Sequence, residues 1–154
     1  MIKTFFESFK YALNGIKFAL QTERNMRVHL CVGAYVYFFS FFYNFSSTEY
    51  CILTILIFGV IAFEMINSSI ERVVDNPLPE KFYIAGKVKD IAAGAVLIFS
   101  IGAAICGFIL FWDVLIIKEI FDYFITHIFS SLCLMVSFIL AFIFVFQKEK
   151  TRDK

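Results

Sequence analysis

The chain has 154 residues, of which 60% are hydrophobic, and its mean hydropathy is +0.80. A soluble domain of this size cannot bury so much apolar surface, so lipid must cover part of it; this excludes a soluble enzyme, a disordered tail and a secreted disulfide scaffold. The formal net charge of +1 gives no electrostatic footprint for nucleic acid. The cysteines are scattered without a CxxC pair, and we interpret them as small hydrophobic residues.

The N-terminal segment 2–21 is predicted to be an amphipathic helix that lies in the bilayer interface. Apolar residues recur there at three- and four-residue steps, and polar and basic residues fall on the opposite face. The segment lacks the uninterrupted apolar core and the cleavage site of a signal peptide.

Four apolar segments, at about 30–48, 50–70, 91–112 and 123–146, are predicted to span the membrane. Each is close to the roughly 20 apolar residues that a spanning helix needs. Glu64 is the single formally charged residue within them, and His127 in the last segment is assigned to packing. The expected fold is therefore an all-α integral membrane protein, with an interfacial helix, three core spans and an extra C-terminal span.

The distribution of lysine and arginine predicts the orientation of these spans. Five basic residues precede the first span, none lies at 45–49, four lie at 72–89, one lies in the next loop and four lie in the tail. The positive-inside rule then places both termini and the middle loop in the cytoplasm. Pro77 and Pro79 end the second span within that loop.

Glu64 is the most informative residue, because a carboxylate inside a spanning helix costs about 2.5–3.5 kcal/mol. Asn67, Ser68, Glu71 and Asp75 follow at helical spacing. All of them therefore share one stripe of one helix, which runs from inside the bilayer to its cytoplasmic edge.

Two further charged clusters are expected at that edge. Glu23 lies in the segment 22–29, between the interfacial helix and the first span, while Lys87, Lys89 and Asp90 precede the third span. Carboxylates with an asparagine can hold Mg²⁺, which usually arrives with phosphates, and a lysine can neutralise phosphate charge. Glu64 can serve as a general base toward a lipid hydroxyl. The set predicts phosphoryl transfer to a membrane alcohol, although the chain has no P-loop or kinase glycine-rich motif.

Two other functional classes fit parts of the pattern. A small proton-coupled transporter, of the multidrug type, would use Glu64 as its titrating group and need none of the other charged residues. A structural or assembly protein would need none of them at all. Arg72, Glu80 and Lys81 are interpreted as solvated loop residues.

Several motifs together resemble the prokaryotic diacylglycerol kinase and undecaprenol kinase family. Residues 63–75 are similar to its signature Glu-x-x-Asn-[Ser/Thr]-[Ala/Ser]-Ile-Glu-x-x-x-Asp, and residues 86–96 resemble its second signature. Residues 22–29 are similar to its N-terminal motif, and residues 9–16 to its surface helix. The resemblance covers about residues 3–112, with the motifs in the family's order and spacing.

The resemblance implies a small multi-pass kinase of a prokaryotic inner membrane that works as a homotrimer with sites shared between subunits. It would transfer the γ-phosphate of ATP, with Mg²⁺, to a lipid hydroxyl, with undecaprenol favoured and diacylglycerol as the alternative. Residues 1–112 would form the kinase domain. Residues 113–154 would add an accessory span and a basic tail.

The motifs also imply roles for individual residues. Glu64 matches the general base, and Glu23 and Glu71 match the metal-coordinating carboxylates. The positions that match nucleotide contacts are Tyr11, Glu23, Asn67, Glu71, Glu80, Gly86, Lys89 and Asp90.

Overall fold

The structure is a computed structural model that describes residues 2–75 and 84–148, with side chains from residue 5 onward. The described residues form helices and no strand, which confirms the all-α integral membrane class. The helices are α1 (Ile2–Thr22), α2 (Arg24–Ser40), α3 (Ser47–Val74), α4 (Ala85–Phe111), α5 (Val114–Thr126) and α6 (Ile128–Phe146). Of these, α3, α4 and α6 are long and apolar enough to cross a membrane.

Helix α1 ends at a sharp change of direction that we call the elbow (residues 22–25). Glu23 at its centre has an extended backbone, with φ −118° and ψ 119°, while its N–H still donates to the Ala19 carbonyl at 2.8 Å. A single non-helical residue therefore separates α1 from α2.

Helix α2 differs from the span predicted over 30–48, because it begins at Arg24 and ends at Ser40. Its 17 residues rise about 25 Å, which is short of a typical hydrocarbon core. Tyr43 explains the early end, since its buried hydroxyl donates to the Phe111 carbonyl at 3.0 Å and holds residues 41–46 as a connection. Ser46 and Glu49 then form a capping box that starts α3.

Helices α3 and α4 form the most extensive helix pair. Phe63 and Phe99 meet with ring centroids 4.9 Å apart, and the Phe99 ring lies directly over Gly59. On the other side of α3, Gly33 of α2 lies against Ile57, whose Cγ2 is 2.7 Å from where a Cβ on residue 33 would be. Glycine suits both crossings, because a Cβ at either position would require the neighbouring side chain to shift.

The C-terminal region also differs from the single span predicted over 123–146. Residues 114–126 form the separate amphipathic helix α5, whose first turn is capped by Asp113 Oδ1 accepting from the N–H groups of Leu115 and Ile116. His127 stands at the break before α6, where its exposed ring stacks on Tyr123 with centroids 4.4 Å apart. It does not pack inside a span.

The larger helices are arranged in the order α4, α3, α2, α6. Helices α2 and α6 run antiparallel, because Arg27 contacts the end of α6 whereas Tyr35 contacts Ser137 in its middle. The elbow, the end of α3, the start of α4 and the end of α6 therefore lie at one end of the helix bundle. This end of the bundle holds Glu23 and Glu71, two of the carboxylates that the sequence predicted to lie together.

Candidate active site

Glu64 is almost fully buried, with 3% of its surface exposed, and Asn67 and Ser68 beside it on α3 are also buried. The helical spacing places these three polar side chains on one face, as the stripe predicts. An interior face that carries a carboxylate, an amide and a hydroxyl is costly unless other polar groups meet it.

The elbow supplies those groups. The Asn25 side chain hydrogen-bonds Glu64, and the carboxylates of Glu23 and Glu71 are close enough to interact with it electrostatically. We call Glu23, Glu64 and Glu71 the carboxylate cluster. Residues 41 positions apart in the chain, Glu23 and Glu64, are brought together because α2 packs along α3.

The surroundings of Asn67 fit a cation carried by phosphates. Its Nδ2 donates to Glu71 Oε1 at 3.0 Å, while its Oδ1 is buried and accepts no hydrogen bond within the described chain. The available ligands are all oxygens, as Mg²⁺ prefers. Within residues 2–75 and 84–148, no group of three or more His, Cys, Asp or Glu side chains is placed so that it could hold a metal ion.

Arg72 was interpreted from the sequence as a solvated loop residue, and the structure corrects this. Its Nη2 donates to Glu23 Oε1 and to Thr22 Oγ1, and its guanidinium lies over the Phe18 ring at 4.4 Å. A sequence signal existed, because Arg72 follows Glu64 by eight residues and thus continues the same stripe of α3.

Lys89 forms an ion pair at the start of α4. Its Nζ donates to the two carboxylate oxygens of Asp75, at 2.8 and 3.1 Å. Asp75 follows Glu71 by about one turn, so the pair lies at the same end as the carboxylate cluster. Gly86 and Asp90 are exposed in the first turns of α4.

One expected nucleotide contact, Tyr11, lies apart from this arrangement. Tyr11 is 72% exposed on α1, and it precedes Glu23 by twelve residues, or about 18 Å of helix. Glu80 lies outside the described residues.

An apolar cavity of about 450 Å³ lies between α2, α3 and α4. Leu53, Ile57 and Val60 line it from α3, and Glu64 follows Val60 by one turn. Ser100 Oγ on the α4 wall is buried without a hydrogen-bond partner among the described residues. The cavity is within the range of about 300–1,000 Å³ that is typical of small-molecule sites.

The fold and the site together define a helical membrane protein that presents one buried carboxylate, Glu64, and two half-buried ones at one end of its helices, beside an apolar cavity. Comparison with known proteins identifies the family. The prokaryotic diacylglycerol kinase family matches residues 10–111. The chain is 34% identical over 110 residues to an undecaprenol kinase of Bacillus subtilis (strain 168). The aligned region covers 71% of this chain and 89% of that protein.

Two diacylglycerol kinases are also similar. The one from Synechocystis sp. is 34% identical over 65% of this chain and 58% of its own length. The one from Haemophilus influenzae is 30% identical over 68% of this chain and 90% of its own length. No solved structure shows significant similarity to the chain.

The chain belongs to the prokaryotic diacylglycerol kinase family. It is an integral membrane lipid kinase, with a lipid as phosphate acceptor and ATP as phosphate donor. This confirms the kinase interpretation of the motifs over the transporter and the assembly protein.

Proposed function

We propose that the chain transfers the γ-phosphate of ATP to the hydroxyl of undecaprenol in a Mg²⁺-dependent reaction, with diacylglycerol as the alternative acceptor. The observation that carries the proposal is the buried Glu64 within the carboxylate cluster, one turn from an apolar cavity. The preference for undecaprenol is supported by the match to the Bacillus subtilis enzyme, which is longer than the match to either diacylglycerol kinase.

Glu64 is the general base of this reaction. It accepts the proton of the lipid hydroxyl while the lipid oxygen forms a bond to the γ-phosphorus and the bond from that phosphorus to ADP breaks. The hydroxyl end of the isoprenoid chain would occupy the cavity lined by Leu53, Ile57 and Val60, and the rest of the chain would extend into the lipid. The hydroxyl would then approach Glu64, which follows Val60 by one turn. Such positioning, together with charge neutralisation, supplies most of the acceleration in phosphoryl transfer.

Glu23 and Glu71 would hold the metal. Asn67, which is hydrogen-bonded to Glu71, has a buried Oδ1 that accepts no hydrogen bond among the described residues. The ion would neutralise charge on the transferred phosphate. Arg72 fixes the Glu23 carboxylate, and Asn67 fixes Glu71 through the bond from Nδ2. The remaining nucleotide contacts are Tyr11, Glu80, Gly86, Lys89 and Asp90.

The proposal extends to the membrane and to assembly. Residues 1–112 form the kinase domain and residues 113–154 an accessory span with a basic tail. The elbow, the start of α4 and the end of α6 lie at one end of the bundle, which supports an inner-membrane orientation with both termini in the cytoplasm. A homotrimer would complete each site with a neighbouring subunit.

Transfer of labelled phosphate from ATP in detergent tests the reaction. Undecaprenol and diacylglycerol are offered separately, with Mg²⁺ present or chelated, to the wild type, to Glu64→Gln and to the control Glu119→Gln, at an exposed position of α5. We expect transfer to undecaprenol that is lost without metal and falls at least about 100-fold in Glu64→Gln. Full activity in Glu64→Gln, or in the absence of metal, would contradict the proposal.

A further inference from the structure

The C-terminal helix α6 lies outside residues 10–111, which match the family. Its end nevertheless contacts the elbow through Arg27, one of the most deeply buried side chains of the protein with 1% exposed. A guanidinium removed from water in this way must find hydrogen-bond acceptors for its N–H groups.

Arg27 finds them at the ends of two helices. Its Nε donates to the Val145 carbonyl at 3.2 Å and its Nη2 to the Gln147 carbonyl at 3.4 Å. Its Nη1 donates to the Leu20 carbonyl, in the last turn of α1, at 3.0 Å. The last carbonyls of a helix lack intrahelical donors and carry the negative end of the helix dipole, so a cation suits both ends.

One of these hydrogen bonds holds together the two chain segments that flank Glu23. Leu20 and Arg27 lie on either side of it in the chain, and the hydrogen bond between them closes the elbow around the Glu23 backbone. The guanidinium can hold this position because α6 accepts from its other nitrogens. Further contacts keep α6 in register on α2, since Tyr35 donates to Ser137 Oγ at 3.1 Å and stacks on Phe138.

We propose that α6 is a positioning element of the kinase site, acting through Arg27 on the elbow that carries Glu23. This rests on the proposed role of Glu23 in metal binding. Arg27 is thus a positioning residue, which touches neither substrate nor metal. Groups that orient a metal ligand are commonly worth about 10- to 100-fold in metal affinity or activity.

Helix α6 allows a matched test at Ile143. The side chain of Ile143 is 59% exposed, so replacing it removes little packing inside the protein. Ile143→Pro kinks the last turn and moves the Val145 and Gln147 carbonyls away from Arg27. Ile143→Ala removes the same side chain and leaves the helix intact. On the elbow side, Arg27→Lys keeps the charge but not the three-point fork. Its control is the same substitution at the exposed neighbour Arg24, whose guanidinium faces the Phe146 ring of α6 at 6.0 Å, a contact that a lysine ammonium can also make.

Two quantities are measured on each variant: Mn²⁺ binding with a non-hydrolysable ATP analogue, by electron paramagnetic resonance, and phosphate transfer against lipid concentration. We expect Ile143→Pro and Arg27→Lys to weaken Mn²⁺ binding about 10-fold or more with an unchanged KM for lipid. Ile143→Ala and Arg24→Lys should bind Mn²⁺ as the wild type does.

The outcomes separate this inference from the proposed reaction. Wild-type protein that binds Mn²⁺ but transfers no phosphate would contradict the reaction alone. Wild-type protein that binds no Mn²⁺, or wild-type affinity in Arg27→Lys, would overturn the positioning role. If Ile143→Pro does not yield folded protein, the comparison of Arg27→Lys with Arg24→Lys decides the question.

Discussion

Arg72 on α3 pairs with Glu23 in the elbow, so two segments separated by 49 residues meet in a single ion pair. The same guanidinium donates to Thr22 and lies over the Phe18 ring. An arginine is suited to this combination because its planar fork can donate in two directions while its face contacts an aromatic ring.

Arg72→Lys is expected to lower the rate of phosphate transfer about 10-fold, because an ammonium cannot replace these contacts together. Glu23 would then be held less firmly, so the concentration of Mg²⁺ needed for half-maximal rate should rise. A Mg²⁺ titration of phosphate transfer measures both effects. Arg24→Lys, the same substitution in the exposed part of the elbow, should change neither, and an equal effect there would contradict the role of Arg72.

Asn67→Leu is expected to separate activity from stability. The substitution removes the hydrogen bond to Glu71, which is worth about 1.5–3 kcal/mol. It also removes a buried Oδ1 that has no donor among the described residues. Removing the desolvation penalty of this atom offsets about 1–3 kcal/mol of the lost stability. The melting temperature in detergent should therefore change little, while phosphate transfer falls at least about 10-fold.

The neighbouring Ser69→Ala is the control for Asn67→Leu. Ser69 is exposed on the opposite side of α3 and donates to the Met65 carbonyl at 2.8 Å. Activity and melting temperature should both remain at the wild-type values. A large loss of stability in Asn67→Leu would show that the amide serves the fold and not the site.

Gly59→Ala is expected to destabilise the protein by about 1–3 kcal/mol. A Cβ at residue 59 would overlap the Phe99 ring, so that ring would have to shift or α3 and α4 would have to move apart. Thermal unfolding in detergent measures the effect, and the second substitution Phe99→Leu should recover part of it. Gly102→Ala is the control, since open space surrounds that position. It should not lower the melting temperature, because alanine favours helix over glycine by up to about 1 kcal/mol.

Tyr43→Phe is expected to cost about 1 kcal/mol, because it removes the hydroxyl that donates to the Phe111 carbonyl and leaves that carbonyl with the Asp113 N–H as its remaining donor. The difference in unfolding free energy between the wild type and Tyr43→Phe should depend on pH. Burial, and secondarily the charge of Asp113, raises the pKa of Tyr43. The folded protein therefore keeps the phenol proton when the unfolded chain, with a tyrosine pKa of about 10, has lost it. The stabilisation is complete below that pH and is lost as the pH rises through the folded pKa.

Unfolding of both proteins in detergent, well below pH 10 and about one unit above it, tests this sign. The advantage of the wild type over Tyr43→Phe should narrow at the higher pH. An advantage that widens would contradict burial as the cause of the shift in the pKa of Tyr43.

The stripe of polar residues on α3 could be predicted because helical spacing alone decides which side chains share a face. Glu64, Asn67 and Glu71 therefore fall together without any knowledge of the other helices. The end of α2 at Ser40 could not be predicted in this way. The segment 41–46 is as apolar as the helix before it, and the contact that ends the helix, from Tyr43 to Phe111, joins residues 68 positions apart.

Helix α5 had a local sequence signal that the predicted spans, which end at 112 and resume at 123, did not take into account. Asp113 precedes an amphipathic run and caps it, as aspartate commonly does. The partners of charged residues were harder to predict, because Arg27 and Arg72 meet groups in helices remote along the chain. A family pattern places such residues in a motif, but it does not show that Arg27 also contacts a helix outside the residues that match the family.

The distance along the chain between Arg27 and its acceptors bears on the order of events during synthesis. Val145 and Gln147 follow Arg27 by 118 and 120 residues. The elbow is therefore translated early, whereas Arg27 gains these two acceptors only when the end of α6 has been made. Helices α2, α3 and α4 can pair while the ribosome is still extending the chain. The region around Glu23 then reaches its final geometry only when the last helix has left the ribosome.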